Sequence, residues 1–204
     1  MATWVAHFRM AEAILNQGIN LNRKMFVVGN IAPDSGLLNE GTLSYDPPKH
    51  ITHWIDQDNN IQPELFYVQH IAAKNDLDGA ELDFCLGYYC HLLADWEWIT
   101  SVWRSKKEKT PYVEMLAENA GNIWEIKKDW YGLDFLYLAE HPDSIFFTDF
   151  VQVEEVPDYL DYFPEGAFTR RVDDTRKFYL GKPDWDLDRP YIYLSRKEWD
   201  DYVQ

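Results

Sequence analysis

The segment that decides both the fold and the chemistry reads Gly87-Tyr88-Tyr89-Cys90-His91-Leu92-Leu93-Ala94-Asp95-Trp96. Its apolar residues surround one histidine and one carboxylate, which stand four positions apart. Side chains at this spacing meet on one face of a helix, so His91 and Asp95 can hold a cation together. An ionised carboxylate without a partner is costly in apolar surroundings, and a divalent metal is one of the few partners that offset this cost. The segment therefore predicts a metal site on a helix.

The composition is that of a folded globular protein. The chain has 204 residues, of which 46% are hydrophobic and 16% aromatic. This is enough to close a sizeable core as one domain, or as one domain with a small appendage. The chain has 35 acidic and 19 basic residues, which give a formal net charge of -16. Such a surface repels phosphate backbones and anionic leaflets, so nucleic acid is a disfavoured partner.

Cysteine use and hydrophobic patterning favour a soluble cytoplasmic protein. Cys85 and Cys90 lie on one predicted helix and point in different directions, so they are not expected to form a disulfide. Charged and polar residues interrupt residues 1–17, which excludes the apolar core of a signal peptide. No later segment approaches the roughly 20 apolar residues of a membrane span, and we expect no stable membrane insertion.

Two candidate ligands precede residue 37. Residues 3–17 predict an amphipathic helix with Thr3 as its N-cap and His7 on its inward-facing stripe. Residues 26–36 turn from a short apolar run into a loop punctuated by proline and glycine. Such a loop presents a single carboxylate, Asp34, near its tip.

A long loop is predicted for residues 37–60, which contain two adjacent prolines and several Asn and Asp residues. A structureless loop of this length usually needs a function or a metal to order it. His53 is the ligand candidate of this loop, and His50 is an alternative three residues earlier.

The rest of the chain reads as helical, so we predict an all-α fold. Asp78, with Glu81 three residues later, marks the start of a long central helix. Helices are predicted over residues 62–75, 79–105, 111–130, 133–139 and 164–180, followed by a terminal helix with a Ser195–Glu198 capping box. We expect one domain over residues 1–204, with a motif-bearing helical core at 1–140 and an acidic, aromatic extension at 141–204 packed on it.

Five side chains form a predicted ligand set for a first-row metal. They are His7, Asp34, His53, His91 and Asp95. Imidazoles and carboxylates are ligands suited to zinc. They are spread over two helices and two loops, so the fold itself must assemble the site.

The order of these residues resembles the zinc-dependent phospholipase C family, which is related to the S1/P1 nucleases. The resemblance rests on an N-terminal helical His, a Gly-Asn-Ile-Ala-Pro-Asp loop, a Thr-His pair and the pattern Gly-x-x-x-His-x-x-x-Asp-Trp. It covers about residues 1–100. It implies a phospholipase C/P1 nuclease-like helical bundle with long loops, in which a metal cluster activates water to attack a phosphodiester.

The resemblance also implies roles for the five residues. Asp34, His53, His91 and Asp95 match the ligands of one metal. His7, with Asp95 as a bridge, matches part of a neighbouring metal site.

A third metal site of the family is not matched, because His141 is the only histidine after His91. Family members with three metals carry further histidines beyond the His-x-x-x-Asp helix. The resemblance therefore implies that the third site is missing or rebuilt from carboxylates such as Glu97, Glu125 or Asp129.

Other metal-binding residue types are assigned simpler roles. His70 is expected to be structural or on the surface, and His141 to belong to a turn. Cys85 and Cys90 are expected to be small buried apolar groups, although Cys90 stands beside His91 and thiolate ligation is an alternative.

These observations together predict a zinc-dependent hydrolase of a phosphate ester or phosphodiester, with one or two zinc ions or another divalent first-row metal. Asp34 is either a ligand or the general base that accepts a proton from water. The family name implies a lipid phosphodiester as substrate. Because the sequence has no basic patch or membrane-seating helix, we expect a small soluble phosphodiester equally. The alternative is a non-catalytic helical protein in which the same ligands hold a structural ion.

Overall fold

Helices make up nearly all of the regular structure. The computed structural model describes residues 1–39, 44–74, 76–118 and 122–203. Its α-helices are α1 (Trp4–Leu15), α2 (Arg23–Gly29), α3 (Lys49–Thr52), α4 (Pro63–Tyr67), α5 (Gly79–Glu97), α6 (Arg104–Lys106), α7 (Tyr112–Glu118), α8 (Ile123–Glu140), α9 (Ile145–Thr148), α10 (Ala167–Leu180) and α11 (Arg196–Val203). Also present are 3-10 turns at Ala32–Asp34 and Phe150–Gln152, π-helical segments at Val68–Ala72 and Trp98–Trp103, and the antiparallel strands β1 (Leu37–Leu38) and β2 (Tyr45–Asp46). The predicted all-α class is confirmed.

Helices α2 and α5 cross at very close range, because each has a glycine at the crossing. A Cβ atom added at Gly29 would collide with a backbone carbonyl of α5, and one added at Gly87 would collide with a backbone carbonyl of α2. A larger residue at either position would force the two backbones apart. The crossing brings Asn30, which follows α2, against His91 on α5.

The central helix α5 begins as predicted. The backbone N–H of Glu81 donates to Asp78 Oδ1 at 2.7 Å, which caps the first turn. The helical path continues through the π-helical segment at Trp98–Trp103 into α6, so the predicted helix over 79–105 is present with a change of helix type. Among the described residues, no helix has both the length and the hydrophobicity to cross a membrane.

Two helix boundaries differ from the prediction. The region predicted as one helix over residues 111–130 contains α7, which ends at Glu118, and the start of α8 at Ile123, and residues 119–121 lie outside the described residues. Residues 133–139, predicted as a separate helix, belong to α8. Gly132 disfavours a helix interior by about 1 kcal/mol, but α8 continues through it, and a Cβ atom at this position would lie only 3.0 Å from the ring of Tyr191.

The predicted loop over residues 37–60 contains more regular structure than its prolines suggested. β1 and β2 form a short antiparallel pair, and α3 starts directly after Pro48. Proline disfavours a preceding helix but suits a helix start, and sequence reasoning overlooked this second role. Residues 40–43 of the loop lie outside the described residues.

The C-terminal region packs against the N-terminal helices. The rings of Phe8 and Phe150 lie 4.7 Å apart between centroids. The predicted capping box is confirmed, because Ser195 N–H donates to Glu198 Oε2 at 2.9 Å and Glu198 N–H donates back to Ser195 Oγ at 3.3 Å. The division of a single domain into residues 1–140 and 141–204 stays a prediction.

Candidate metal centre

All five predicted ligand residues converge at one buried place. His7 comes from α1, Asp34 from the end of a 3-10 turn, His53 from the residue after α3, and both His91 and Asp95 from α5. The three histidines and Asp95 are completely buried. The side chain of Asp34 is 12% exposed, so this residue connects the cluster to solvent.

The ligand atoms form two overlapping groups among the described residues. One group contains His7, His91 and Asp95, the other Asp34, His53 and His91, and within each group the ligand atoms lie within 4.8 Å of one another. The two oxygens of Asp95 face different histidines. Its Oδ1 lies 3.5 Å from His7 Nε2, and its Oδ2 lies 3.4 Å from His91 Nε2 and 3.6 Å from His53 Nε2. His53 Nε2 is also 3.5 Å from Asp34 Oδ1.

Several of these atoms lack a hydrogen-bond partner in the part of the chain that the structure describes. They are the Nε2 atoms of His7, His53 and His91, together with Asp95 Oδ2. Buried polar atoms are nearly always satisfied, so a cluster of unsatisfied ones indicates a missing partner. A mixed set of imidazole nitrogens and carboxylate oxygens is the donor set of zinc, and these residues therefore fit a bound metal.

The orientation of His91 leaves its Nε2 lone pair free. His91 Nδ1 lies 2.8 Å from the carbonyl oxygen of Asn30. A carbonyl oxygen only accepts hydrogen bonds, so Nδ1 carries the hydrogen and Nε2 of the neutral ring is an acceptor. This nitrogen faces Asp95 Oδ2, which is another acceptor. A proton or a cation between the two atoms removes the conflict.

Other contacts hold the remaining ligands in place. Thr52 Oγ1 lies 2.9 Å from His53 Nδ1, and the indole N–H of Trp4 donates to Asp34 Oδ2 at 2.9 Å. Partners of this kind fix the ring or carboxylate orientation that a metal requires.

Burial controls the protonation of the histidines. Burial, assisted by the neighbouring His91, lowers the pKa of His7 to about 4, and burial likewise lowers the pKa of His53. Burial also opposes protonation of His91, but Asp95 outweighs it and raises the pKa of this ring. At neutral pH, His7 and His53 are neutral, which is the form that binds metals.

Both carboxylates of the cluster are held in the ionised form. Burial would raise the pKa of Asp34, but Lys49 and then His53 outweigh it and hold this pKa well below its ordinary value. For Asp95, the N-terminal amine and His91 likewise outweigh burial and lower the pKa. Both carboxylates are therefore in the ionised form that metal ligation requires.

One family model matches the part of the chain that carries these residues. The model for zinc dependent phospholipase C matches residues 6–98. The matched range is just under half of the 204-residue chain and contains all five candidate ligands. The predicted resemblance to the zinc-dependent phospholipase C family is confirmed over this range. Comparison with curated proteins and with solved structures gives no match.

Within the range that matches zinc-dependent phospholipase C, His53 faces the cluster and the alternative His50 is exposed. Cys85 and Cys90 are free thiols, as expected. Burial raises the pKa of Cys90 to about 11, and neither ligand group contains it, so thiolate ligation gains no support. His70 is buried and stacks on Phe66 with ring centroids 4.9 Å apart, so of its two expected roles the structural one agrees with the structure and the surface one does not.

The carboxylates suggested for a third metal site lie elsewhere. Asp129 accepts a hydrogen bond from Tyr193 N–H at 2.7 Å, and Glu125 pairs with Lys128 at 2.5 Å. Neither ligand group of the described residues includes these two carboxylates or Glu97. The structure therefore gives no support for a third site built from them.

Sequence reasoning missed the groups that position the ligands. Thr52 and Asn30 belong to the quoted motifs, so their proximity to a ligand was the available signal. Lys49, whose Nζ lies 3.4 Å from Asp34 Oδ1, carried no signal, because this contact arises only when α3 packs beside the 3-10 turn.

Proposed function

We propose that this protein is a metal-dependent enzyme that hydrolyses a phosphate ester or phosphodiester, with chemistry like that of phospholipase C. One observation carries the proposal: buried imidazole and carboxylate atoms that have no hydrogen-bond partner among the described residues face one another beside an open cavity. Asp34 belongs both to the cluster and to the cavity wall. The family match over residues 6–98 supports the same chemistry.

The five candidate ligands would hold one or two zinc ions. His7, His91 and Asp95 form one set, and Asp34, His53 and His91 form the adjoining set. When bound, zinc lowers the pKa of water from 15.7 to about 7 and so supplies hydroxide near neutral pH. Asn30 and Thr52 orient the rings of His91 and His53 for this role.

Asp34 is the residue best placed to act on a substrate. Its carboxylate is ionised and lies at the boundary between the buried cluster and the cavity. The indole N–H of Trp4 donates a hydrogen bond to Asp34 Oδ2, whereas Asp34 Oδ1 faces His53 and Lys49. As a ligand, Asp34 would use Oδ1. As a general base, it would accept a proton from water that attacks the phosphorus.

An Asp34→Asn variant separates these two roles. If Asp34 is a ligand, zinc content falls together with activity. If Asp34 is the general base, zinc content is retained and hydrolysis is lost, because an amide cannot accept the proton.

The alternative is a structural ion in a non-catalytic protein. A structural zinc site is closed by protein ligands and leaves no position for water or substrate. The cavity beside Asp34 favours the catalytic interpretation, because it gives a substrate access to the edge of the cluster.

The proposal is tested by metal analysis of the full chain purified without added ions. The wild-type protein is expected to contain zinc and to hydrolyse bis(p-nitrophenyl) phosphate, and His91→Ala is expected to lose both properties. His50→Ala is the matched control, since His50 is an exposed histidine close to the site and lies in neither ligand group. Unchanged zinc content in His91→Ala would rule out the proposed centre.

A further inference from the structure

A cavity of about 240 Å³ adjoins the candidate metal centre. Asp34 forms part of its wall, and the aromatic side chains of Trp4, Trp124 and Tyr131 form another part. Three basic side chains also line it: Lys49, Lys127 and Arg171. The last two lie outside residues 6–98, so they are features of this chain that the family match does not cover.

The positive charge in this cavity is unusual for a chain with a net charge of -16. Neither Lys127 nor Arg171 forms an ion pair with any acidic residue in 1–39, 44–74, 76–118 or 122–203. Both cations lie near aromatic rings. Lys127 Nζ lies 5.5 Å from the ring centroid of Trp124, and Arg171 Cζ lies 5.2 Å from that of Trp4. Arg171 Nε is buried and has no hydrogen-bond partner among these residues.

Holding these cations without an anion costs free energy, because burial removes the water that solvates them. Burial, together with the nearby charge of Lys49, lowers the pKa of Lys127. The aromatic contacts fix the positions of the two cations but do not neutralise them. An anion bound in the cavity would offset both the desolvation and the mutual repulsion.

The positive charges of this cavity disfavour binding of a substrate that carries a cationic group such as choline. Aromatic rings can attract a quaternary ammonium group. In this cavity, three basic side chains would repel such a cation. Among the described residues, Asp34 supplies the carboxylate of the cavity wall, and this carboxylate already faces Lys49 and His53.

We propose that this cavity binds a second anionic group of the substrate, so that preferred substrates carry a phosphate or carboxylate besides the phosphate that is hydrolysed. The proposal rests on the proposed function, which puts the hydrolysed phosphate at the cluster, next to Asp34. Lys127 and Arg171 then contact the additional anion, and Lys49 lies between the two groups.

Calorimetric titration of the full chain tests this specificity, with and without zinc. The soluble probes are myo-inositol 1,4-bisphosphate, myo-inositol 1-phosphate and phosphocholine. The bisphosphate is expected to bind at least about tenfold more tightly than the monophosphate, because its second phosphate gains charge-assisted hydrogen bonds from Lys127 and Arg171. Phosphocholine is expected to bind most weakly.

Substitutions identify the residues that are responsible. Lys127→Gln and Arg171→Gln are each expected to weaken bisphosphate binding about tenfold, with less than about a twofold effect on the monophosphate. Lys128→Gln and Arg170→Gln are matched controls on the same two helices and are expected to keep the wild-type preference. Circular dichroism and zinc content confirm that each variant is folded, and the wild-type ligand comparison decides the question even if a variant fails to fold.

A parallel series with vesicles distinguishes the source of the anion. Vesicles containing phosphatidylinositol 4-phosphate are compared with vesicles of phosphatidylcholine alone. A preference among the soluble probes identifies a soluble ester, and a preference among the vesicles alone identifies a lipid. The proposal is overturned if neither series shows a preference for the extra anion, or if the Lys127 and Arg171 double variant keeps it.

Failure of this proposal differs from failure of the proposed function. A protein that holds zinc and hydrolyses bis(p-nitrophenyl) phosphate, but shows no preference for the extra anion, contradicts the cavity proposal alone. A protein that holds no zinc contradicts the proposed function, and the zinc-free titrations still decide whether the cavity selects an anion.

Discussion

Asp95 and Asp134 are both completely buried carboxylates on long helices, yet their surroundings differ in kind. Asp95 lies among three histidines, and its Oδ2 has no hydrogen-bond donor among the described residues. Asp134 lies among hydroxyl groups. Thr3 donates to its Oδ1 at 2.7 Å, and Tyr179 donates to its Oδ2 at 2.5 Å.

The two environments shift the carboxyl pKa in opposite directions. At Asp95, nearby positive charge overcomes burial and lowers the pKa. At Asp134, burial dominates and raises the pKa to about 8 despite the hydrogen bonds from Tyr179 and Thr3. Burial alone therefore does not identify a metal ligand. A buried carboxylate whose oxygen faces other hydrogen-bond acceptors indicates a bound cation. A buried carboxylate whose two oxygens both accept hydrogen bonds indicates a structural role.

The dipeptide Ala2-Thr3 contacts both Asp95 and Asp134. Ala2 N–H donates to Asp95 Oδ1 at 2.6 Å, and the hydroxyl of the next residue, Thr3, donates to Asp134. Thr3 precedes α1 as predicted, but its side chain makes no capping hydrogen bond, because it is engaged with Asp134. The start of α1 is thus fixed between the two carboxylates.

The strongest contrast is expected from the same substitution at both carboxylates. Asp95→Asn should weaken zinc binding by more than about 100-fold, beyond the 10–100-fold typical of a group that only orients a ligand. Asp134→Asn should leave zinc affinity within about twofold, since its oxygens are already occupied. Competition with a zinc-binding dye measures both affinities. Equal effects of the two substitutions would contradict the contrast.

A smaller effect is expected from a residue that touches only a ligand. Thr52→Val removes the hydroxyl beside His53 Nδ1 and keeps the side-chain volume, so zinc affinity should fall about 10–100-fold. Thr100→Val is the control, because the Thr100 hydroxyl donates to a backbone carbonyl of its own helix. A wild-type affinity for Thr52→Val would show that this hydroxyl does not orient the ring.

The raised pKa of Asp134 predicts a pH dependence of stability. The folded protein keeps a proton near pH 8 that the unfolded chain releases around the ordinary pKa of 3.8, so the stability contribution is full below pH 4 and is lost as the pH rises towards 8. Asp134→Asn should remove this slope, which is at most about 1.4 kcal/mol per pH unit.

Urea unfolding of zinc-free wild type and variant between pH 6.5 and 8 measures this slope. The difference between the two proteins isolates Asp134, because titration of the histidines is common to both. A difference that does not change with pH would mean that Asp134 is already ionised in the folded protein.

The smallest effect is expected from one hydroxyl. Tyr179→Phe removes the donor to Asp134 Oδ2 and should cost about 1 kcal/mol of unfolding free energy with no change in zinc content. Tyr191→Phe, which removes a hydrogen bond to the backbone carbonyl of Leu187, provides the comparison for loss of a tyrosine hydroxyl that donates to neither carboxylate. A fall in zinc content in Tyr179→Phe would show that the two regions are coupled.

Local sequence patterns were enough to predict part of the metal centre and the start of the central helix. The spacing of His91 and Asp95 on an apolar helix predicted a shared site, and Asp78 with Glu81 predicted where this helix begins. His53 could not be separated from His50, because both lie near adjacent prolines and only the packing of α3 buries one of them. The sequence thus displayed the contacts within one helix directly, but it did not show which of two neighbouring histidines is buried.

Contacts between remote segments had no such signal. Asp134 attracted no attention in the sequence, since its partners Thr3 and Tyr179 are far away along the chain. Lys127 and Arg171 stood in helices with ordinary polar patterns, and only the fold brings them into one cavity. Tertiary packing decides which charged residues of a helix are buried, so these assignments required coordinates.

The glycines at the crossing of α2 and α5 have a consequence for recognising such centres in other sequences. A single methyl group at Gly29 or Gly87 would push the Asn30 carbonyl away from His91 and release the ring that it orients. A chain could then carry every histidine and aspartate of the motif and still assemble no centre. A search pattern that requires both glycines along with the five ligands would reject such sequences, although neither glycine touches a metal.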